Sequence, residues 1–266
     1  MKSKISLSIL IVSLFVSCDS GDEPKVAENN DYNSHSSPQF SVSVQKAHSF
    51  KKFRELKTVS FDLQLFFGGK ERLLGEINLL TDGTKGEYKL SNGERIFFSQ
   101  DSVYINSKYS NPGRARFAAY TWSYFFLMPY KLNDPGTIWE NYNDSTLNGD
   151  TFKTGKLSFK AGTGDAPDDW YIVYADPESM LMKTAAYIVT AGKSQDEAEK
   201  DPHAIQYSQY KEINEIPMAH RWDFYSWRKD SGLTDTLGYA ILKNIQFGAF
   251  DESGLKFDES MKLVKE

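Results

Sequence analysis

Cysteine is nearly absent from this sequence. The 266 residues contain one cysteine, Cys18, and four histidines. A single cysteine excludes an intramolecular disulfide, a dithiol redox pair and any zinc site that needs two or more thiolates. The histidines have neither the HExxH nor the HxH spacing, so the sequence predicts no metal site. They are His35, His48, His203 and His220.

Motifs for catalysis and nucleotide binding are also missing. The chain has no Gly-x-Ser-x-Gly elbow, no phosphate loop and no dinucleotide fingerprint, so we predict neither a cofactor nor a catalytic residue. The formal net charge of −5 argues against nucleic acid as a partner. A hydrolase with scattered residues stays an alternative, because catalytic triads are recognised in space rather than in sequence.

The first 17 residues have the three parts of an export signal. Lys2 and Lys4 precede an apolar run over residues 5–16, which is followed by the small residue Ser17. The run is shorter than the roughly 20 residues needed to span a bilayer. The segment FVSC, which ends at Cys18, resembles the bacterial lipobox. This resemblance implies a signal peptide over 1–17 and lipidation of Cys18; an ordinary secretory signal is the alternative.

A polar, asparagine- and serine-rich stretch follows Cys18. Residues 18–38 have few apolar side chains, and we predict a flexible tether there. Acidic residues directly after the cysteine resemble a surface-export signal in some lipoproteins and, in other groups, an inner-membrane retention signal. We expect a lipid-anchored protein of the cell envelope, at the outer membrane rather than the inner one, with the side of the membrane left open.

Strands dominate the pattern of the remaining chain, residues 39–266, which we predict to form one domain. Helical spacing predicts an amphipathic helix over 39–56, an aromatic helix over 114–128 that ends at Pro129, and a polar helical excursion over 191–200. With no βαβ alternation, about eleven strands favour a large antiparallel sheet. The strands are predicted over 58–67, 73–80, 86–90, 95–99, 103–105, 151–160, 170–175, 182–190, 204–212, 218–227 and 236–247.

Two aromatic segments carry a family resemblance. Residues 120–130 read YTWSYFFLMPY, and residues 170–177 read WYIVYADP, a strand that runs into an Asp-Pro turn. Together they resemble the LolA/LolB superfamily of lipoprotein carriers and, more narrowly, Bacteroidetes-type outer-membrane lipoproteins. The resemblance implies a mainly β (α+β) fold. In this fold about eleven antiparallel strands form a curved half-barrel, with an N-terminal helix and with helices plugging the concave face over an apolar cavity.

The same resemblance implies an apolar or amphiphilic, lipid-like ligand in that cavity. Burial of an acyl chain gains about 25 cal/mol per Å² without precise polar contacts, so an aromatic lining suits it. His220 shares a strand face with Trp222 and could anchor a polar head group. The alternative for every one of these side chains is an ordinary packed core. The predicted ligand-binding residues are Phe61, Leu63, Leu65, Trp122, Phe125, Phe126, His220 and Trp222.

Three functions therefore compete: a ligand-binding lipoprotein, which we favour, an envelope enzyme acting on lipids or glycans, and a structural or interaction lipoprotein without a ligand. An enzyme would require polar residues such as His203, His220 and Asp223 to converge in one cleft. An open space between sheet and helices supports binding, whereas a filled core favours the structural alternative.

Overall fold

The structure is a computed structural model that describes residues 39–264. The predicted signal peptide, Cys18 and the predicted tether lie outside the described residues. The described part is mainly β. Its helices are α1 Gln39–Ala47, α2 Phe50–Glu55, α3 Pro112–Lys131 and α4 Gln195–Ala198, with a 3-10 turn at Glu252–Gly254. Its strands are β1 Thr58–Phe67, β2 Lys70–Leu80, β3 Lys85–Leu90, β4 Arg95–Ser99, β5 Ser102–Ile105, β6 Thr137–Leu147, β7 Asp150–Phe159, β8 Tyr171–Ala175, β9 Met182–Tyr187, β10 His203–Ile213, β11 Ile216–Arg228, β12 Gly232–Phe247 and β13 Lys262–Leu263.

The strands form one open sheet in the order β13-β5-β4-β3-β2-β1-β12-β11-β10-β9-β8-β7-β6. The pairs described are antiparallel, as expected from the sequence. The chain first meanders from β1 to β5 toward one edge, and it then resumes with β6 at the opposite edge and meanders back to β12 beside β1. The connection between β5 and β6 contains α3, so this helix crosses the width of the sheet.

The contacts of α3 show that the sheet is strongly curved. Tyr120 contacts Phe98 of β4 with 5.5 Å between ring centroids, and Tyr124, about one helical turn later, contacts Phe159 of β7 at 6.5 Å. In a flat sheet β4 and β7, which are nine strand steps apart, would be separated by roughly 43 Å. The two halves of the sheet therefore wrap around α3, and the predicted half-barrel with a helix on its concave face is confirmed.

Strand β1 has the period-two burial that its sequence predicts. Val59, Phe61, Leu63 and Leu65 are fully buried, whereas the polar residues between them are partly exposed. Side chains alternate across a strand, so the apolar set lies on the concave face against the helices. This strand lies at the centre of the sheet, between β2 and β12.

The N-terminal helix is interrupted, in contrast to the single helix predicted over 39–56. Ser49 has a left-handed backbone with φ of 55°, which separates α1 from α2. Its hydroxyl donates to the Glu215 carbonyl at 2.9 Å, and the neighbouring His48 accepts a bond from the Met182 N–H at 3.0 Å. These long-range contacts stabilise a break that helical periodicity cannot reveal.

Helix α3 continues past Pro129, which we expected to end it. A proline inside a helix leaves the carbonyl four residues earlier without its usual N–H partner. Here that carbonyl belongs to Phe125, and the hydroxyl of Tyr207 donates to it at 3.0 Å. The replacement partner lets the helix run on to Lys131.

Two strands and one helix also differ from the sequence prediction. The edge strand β6 was not expected, because most of its side chains are polar and exposed and give no alternating pattern. The short strand β13 pairs with β5 and was likewise not expected. The predicted excursion over 191–200 contains only the short helix α4, which begins with a capping box between Ser194 and Glu197.

Candidate functional site

The candidate site is the interface between α3 and the concave face of the sheet. Phe126 stacks on Phe61 of β1 with 4.1 Å between ring centroids. Phe125 contacts Tyr187 of β9 at 5.0 Å, and Trp122 contacts Phe224 of β11 at 5.9 Å. One face of α3 thus covers strands from both halves of the sheet.

The structure brings most of the predicted ligand-binding residues to this interface. Phe126 and Trp222 line the same small cavity, and Leu63 and Leu65 belong to the same buried cluster as both. Trp122 is only partly buried. His220 is half-buried, its Nδ1 lies 3.1 Å from the Met218 carbonyl oxygen, and it lines neither cavity described below. The role of these residues in ligand binding stays a prediction.

Space at this interface is small. The cavity beside the C-terminal half of α3 has a volume of about 20 Å³, which is room for about one water molecule. Pockets for small-molecule ligands usually have volumes of roughly 300–1,000 Å³. Side chains of α3 therefore occupy the concave face that an acyl chain would require.

A second cleft of about 260 Å³ lies at the rim of the sheet, near the end of β7. Its lining combines aromatic and polar side chains, and Phe159 connects it to the α3 interface through its ring contacts with Tyr124 and Tyr171. The lining consists of Lys156, Ser158, Phe159, Pro167, Asp168, Asp169, Trp170 and Gln195.

Tyrosine hydroxyls hold α3 against the sheet. The Tyr88 hydroxyl of β3 donates to the Ala119 carbonyl at 3.0 Å and lies 2.9 Å from the Ser123 hydroxyl. On the other half of the sheet, the Tyr207 hydroxyl donates to the Phe125 carbonyl. Burial raises the pKa of both tyrosines, so both hydroxyls remain protonated at neutral pH.

Three further tyrosines meet where α3 faces β8 and β9. The ring of Tyr124 lies 5.4 Å from that of Tyr171, and Tyr171 lies 6.0 Å from Tyr187. The Tyr124 hydroxyl is buried and has no hydrogen-bond partner. These three tyrosines are not among the predicted ligand-binding residues, although the alternation in segment 170–177 directs Tyr171 and Val173 to one face.

His48 fixes the junction of α1 and α2 to the sheet. Its Nε2 accepts from the Met182 N–H, and its other ring nitrogen bonds to the Pro217 carbonyl. Burial lowers the pKa of His48 to about 3, so the ring is neutral at physiological pH. Protonation of Nε2 would place an N–H against the N–H of Met182 and would break this hydrogen bond. The contact between His48 and Met182 therefore has a structural role.

The polar residues required by the enzyme alternative do not converge. His203 of β10 lies opposite Ser226 of β11, and Ser226 is six residues from His220 on the same strand. His203 and His220 are therefore roughly 20 Å apart along the strands. The Asp223 carboxylate accepts from Arg221, on the face of β11 opposite to His220. Within residues 39–264 no three His, Cys, Asp or Glu side chains form a group that could hold a metal ion.

None of the helices in the described part of the chain combines the length and apolar character needed to cross a bilayer.

Solved structures share this fold. A LolA superfamily protein from Nitrosomonas europaea superposes with a TM-score of 0.51 and 8% identity, over 82% of this chain and 97% of that protein. A DUF1329 family protein from Desulfovibrio piger gives a TM-score of 0.50 and 11% identity, over 82% of this chain and 99% of that protein. At such identities the likeness concerns the fold alone, and the predicted LolA-like fold is confirmed.

Sequence comparisons give a different kind of result. A search among curated proteins found no match. Residues 85–237, more than half of the 266 residues, match the family described as a family of unknown function, DUF6503. The chain belongs to this family.

Proposed function

We propose that this protein is an envelope lipoprotein that binds the acyl chain of a lipid-like ligand between α3 and the concave face of the sheet. The observation that carries the proposal is the arrangement of α3, a separate helix that covers an apolar face shared by both halves of a curved sheet. The helix is held by side-chain packing and by a few tyrosine hydrogen bonds rather than by strand pairing. The LolA-like fold supports the same function.

The filled interface implies that the ligand enters as α3 moves away from the sheet. Full separation would expose large apolar side chains on both surfaces, among them Phe125 and Phe126 of α3 and Phe61 of β1. The ligand must cover these surfaces again. An acyl chain inserted between the two surfaces gains about 0.8 kcal/mol for each CH₂ group, or about 12 kcal/mol for sixteen carbons.

Binding should depend on chain length. A chain of eight carbons gains only about 6 kcal/mol, about half as much as a chain of sixteen carbons, and it covers a shorter stretch of the separated surfaces. We therefore expect long acyl chains to bind and short ones to fail.

The second candidate function is a structural or interaction lipoprotein without a ligand. The filled concave face, with its cavity of about 20 Å³, favours this alternative. In that case α3 is a permanent part of the core. Extraction of lipids from protein purified from its native membrane, followed by mass spectrometry, would then find no bound lipid.

Uptake of fatty acid methyl esters of eight, twelve and sixteen carbons, followed by displacement of an apolar fluorophore, tests the proposal. Tyr207→Phe removes a hydroxyl that holds α3 and is expected to speed loading of the sixteen-carbon ester. The matched control is Tyr210→Phe, on the same strand, whose hydroxyl bonds to the Met182 carbonyl rather than to a group of α3. Failure of the sixteen-carbon ester to bind either protein would refute ligand binding at this site.

Anchoring completes the proposed function. We propose that residues 1–17 are removed and that Cys18 carries the lipid, which would attach the protein to the outer membrane. The lipobox-like segment before Cys18 supports this step. The full chain with Cys18→Ser should lose the mass of the lipid and move from the membrane fraction to the soluble fraction, and an unchanged distribution would contradict it.

A further inference from the structure

The three tyrosines between α3 and β8–β9 are a polar site within an otherwise apolar interface. The Tyr124 hydroxyl is buried without a partner, which leaves a donor unsatisfied at a penalty that a native core usually avoids. Tyr171 and Tyr187 lie next to it on the sheet side and expose only 7% and 5% of their surface. An acceptor bound between helix and sheet would receive hydrogen bonds from both sides.

The charges around this site select against an anion. Burial raises the pKa of all three tyrosines, so each hydroxyl stays protonated and available as a donor. The Asp169 carboxylate acts on all three tyrosines, and Asp168 and Asp169 both line the adjacent rim cleft. Asp134 also acts on Tyr124, but it is paired with Lys131. A second carboxylate or a phosphate placed here would be repelled, whereas an uncharged acceptor would not.

Within residues 39–264, the imidazole in ring contact with this cluster is that of His203, and it does not supply a positive charge. His203 lies 5.9 Å from Tyr187 between ring centroids, and burial lowers its pKa. It is therefore neutral at pH 7 and above. Asp201, 3.5 Å from its Nε2, adds a further carboxylate on that side.

The rim cleft lies directly beside the tyrosines. Phe159 lines the cleft and contacts the rings of both Tyr124 and Tyr171, at 6.5 and 6.1 Å. The volume of about 260 Å³ is below that of a pocket for a whole lipid and suits a small polar head group. Ser158 and Gln195 supply uncharged hydrogen-bonding groups in its lining, and the cation in the lining, Lys156, is paired with Glu140 at 3.2 Å.

From this juxtaposition we infer that the ligand is an amphiphile with an uncharged head group, whose ester or amide carbonyl accepts hydrogen bonds from Tyr124 and the tyrosines of β8–β9. The head group then lies in the rim cleft, and the acyl chain passes Phe159 into the space under α3. This inference rests on the proposed function, because it assigns the polar end of the ligand at the same site.

Methyl palmitate and palmitate at pH 8 are the probes that test it, because they share one chain and differ in head-group charge. Displacement of an apolar fluorophore from the full chain should require at least tenfold less methyl palmitate than palmitate. Tyr124→Phe should raise severalfold the concentration of methyl palmitate needed for displacement, because it removes the donor and keeps the ring. The matched control is Tyr239→Phe, whose ring stacks on Phe66 on the face of β12 away from α3, and which should leave displacement by both probes unchanged.

A direct readout separates binding from stability. The infrared band of a carbonyl-labelled methyl palmitate should move to lower frequency on binding to the native protein and less so on binding to Tyr124→Phe. Tyr124→Phe should fold at least as stably as the native chain, because the lost hydroxyl has no partner. Equal displacement by both probes, with no effect of Tyr124→Phe, would overturn the inference and leave the proposed function standing. Failure of both probes to bind would overturn both.

Discussion

Acid should destabilise this protein through one buried side chain, His48. The ring is neutral in the native state, with a pKa of about 3, against 6.5 for an accessible histidine. Between these two values the unfolded chain binds a proton that the folded chain does not, so stability falls as the pH drops below about 6.5. Lowering the pH from 7 to 5 should cost about 2 kcal/mol through His48 alone, at 1.36 kcal/mol for each unit of pKa difference.

Urea unfolding followed by tryptophan fluorescence at pH 7 and pH 5 measures this effect. His48→Gln keeps an acceptor for the Met182 N–H and a donor for the Pro217 carbonyl, but it has no proton to gain. Its free energy of unfolding should therefore fall by about 2 kcal/mol less than that of the native chain over this pH change. Ser49→Ala, which loses the neighbouring bond to the Glu215 carbonyl without changing a titratable group, is the control and should retain the native pH dependence. Equal losses in the native chain and in His48→Gln would refute the reasoning.

Three substitutions test other parts of the structure. Tyr207→Phe should lower the free energy of unfolding by about 1–3 kcal/mol, because the Phe125 carbonyl loses its partner. The loss should be smaller in a Pro129→Ala background, where the N–H of the new alanine can bond to the Phe125 carbonyl instead. A double-mutant cycle of Tyr207→Phe and Pro129→Ala measures the difference. Gly238→Ala should lower the thermal midpoint, because its Cβ would overlap a backbone carbonyl of β1. Thr184→Val should leave the midpoint unchanged or raise it, because the threonine hydroxyl is buried without a partner.

The sequence predicts the parts of this fold that depend on local periodicity. The alternation in β1 reports its own burial, because every second side chain faces the same layer of helices. The position of the aromatic helix on the concave face follows from the family resemblance. Helical periodicity does not predict it, because apolar residues lie on all sides of α3. Edge strand β6 was missed because one side of it is solvated and its side chains are polar.

Features that depend on distant partners could not be predicted. Local sequence rules predict that a helix ends at Pro129. Helix α3 continues because the Tyr207 hydroxyl donates to the Phe125 carbonyl, and Tyr207 lies 78 positions after Pro129 in the chain. The break at Ser49 likewise depends on Glu215. The tyrosine site was overlooked for the same reason: Tyr124, Tyr171 and Tyr187 belong to three separate elements, and only the curvature of the sheet brings them together.

The concave face is chemically asymmetric, and this bears on how an amphiphile would lie on it. On the β1–β5 half, the side chains under α3 are hydrocarbon apart from the Tyr88 hydroxyl, which is already bonded to the helix. On the β8–β9 half, Tyr171 and Tyr187 bring hydroxyls to the concave face beside the unpartnered hydroxyl of Tyr124. The acyl chain of a ligand gains most binding free energy where no polar group of the protein must lose its water. The carbonyl of the head group gains most where hydrogen-bond donors have no partner. In the proposed binding mode the acyl chain therefore extends toward β1, and the head group remains at the rim beside β7.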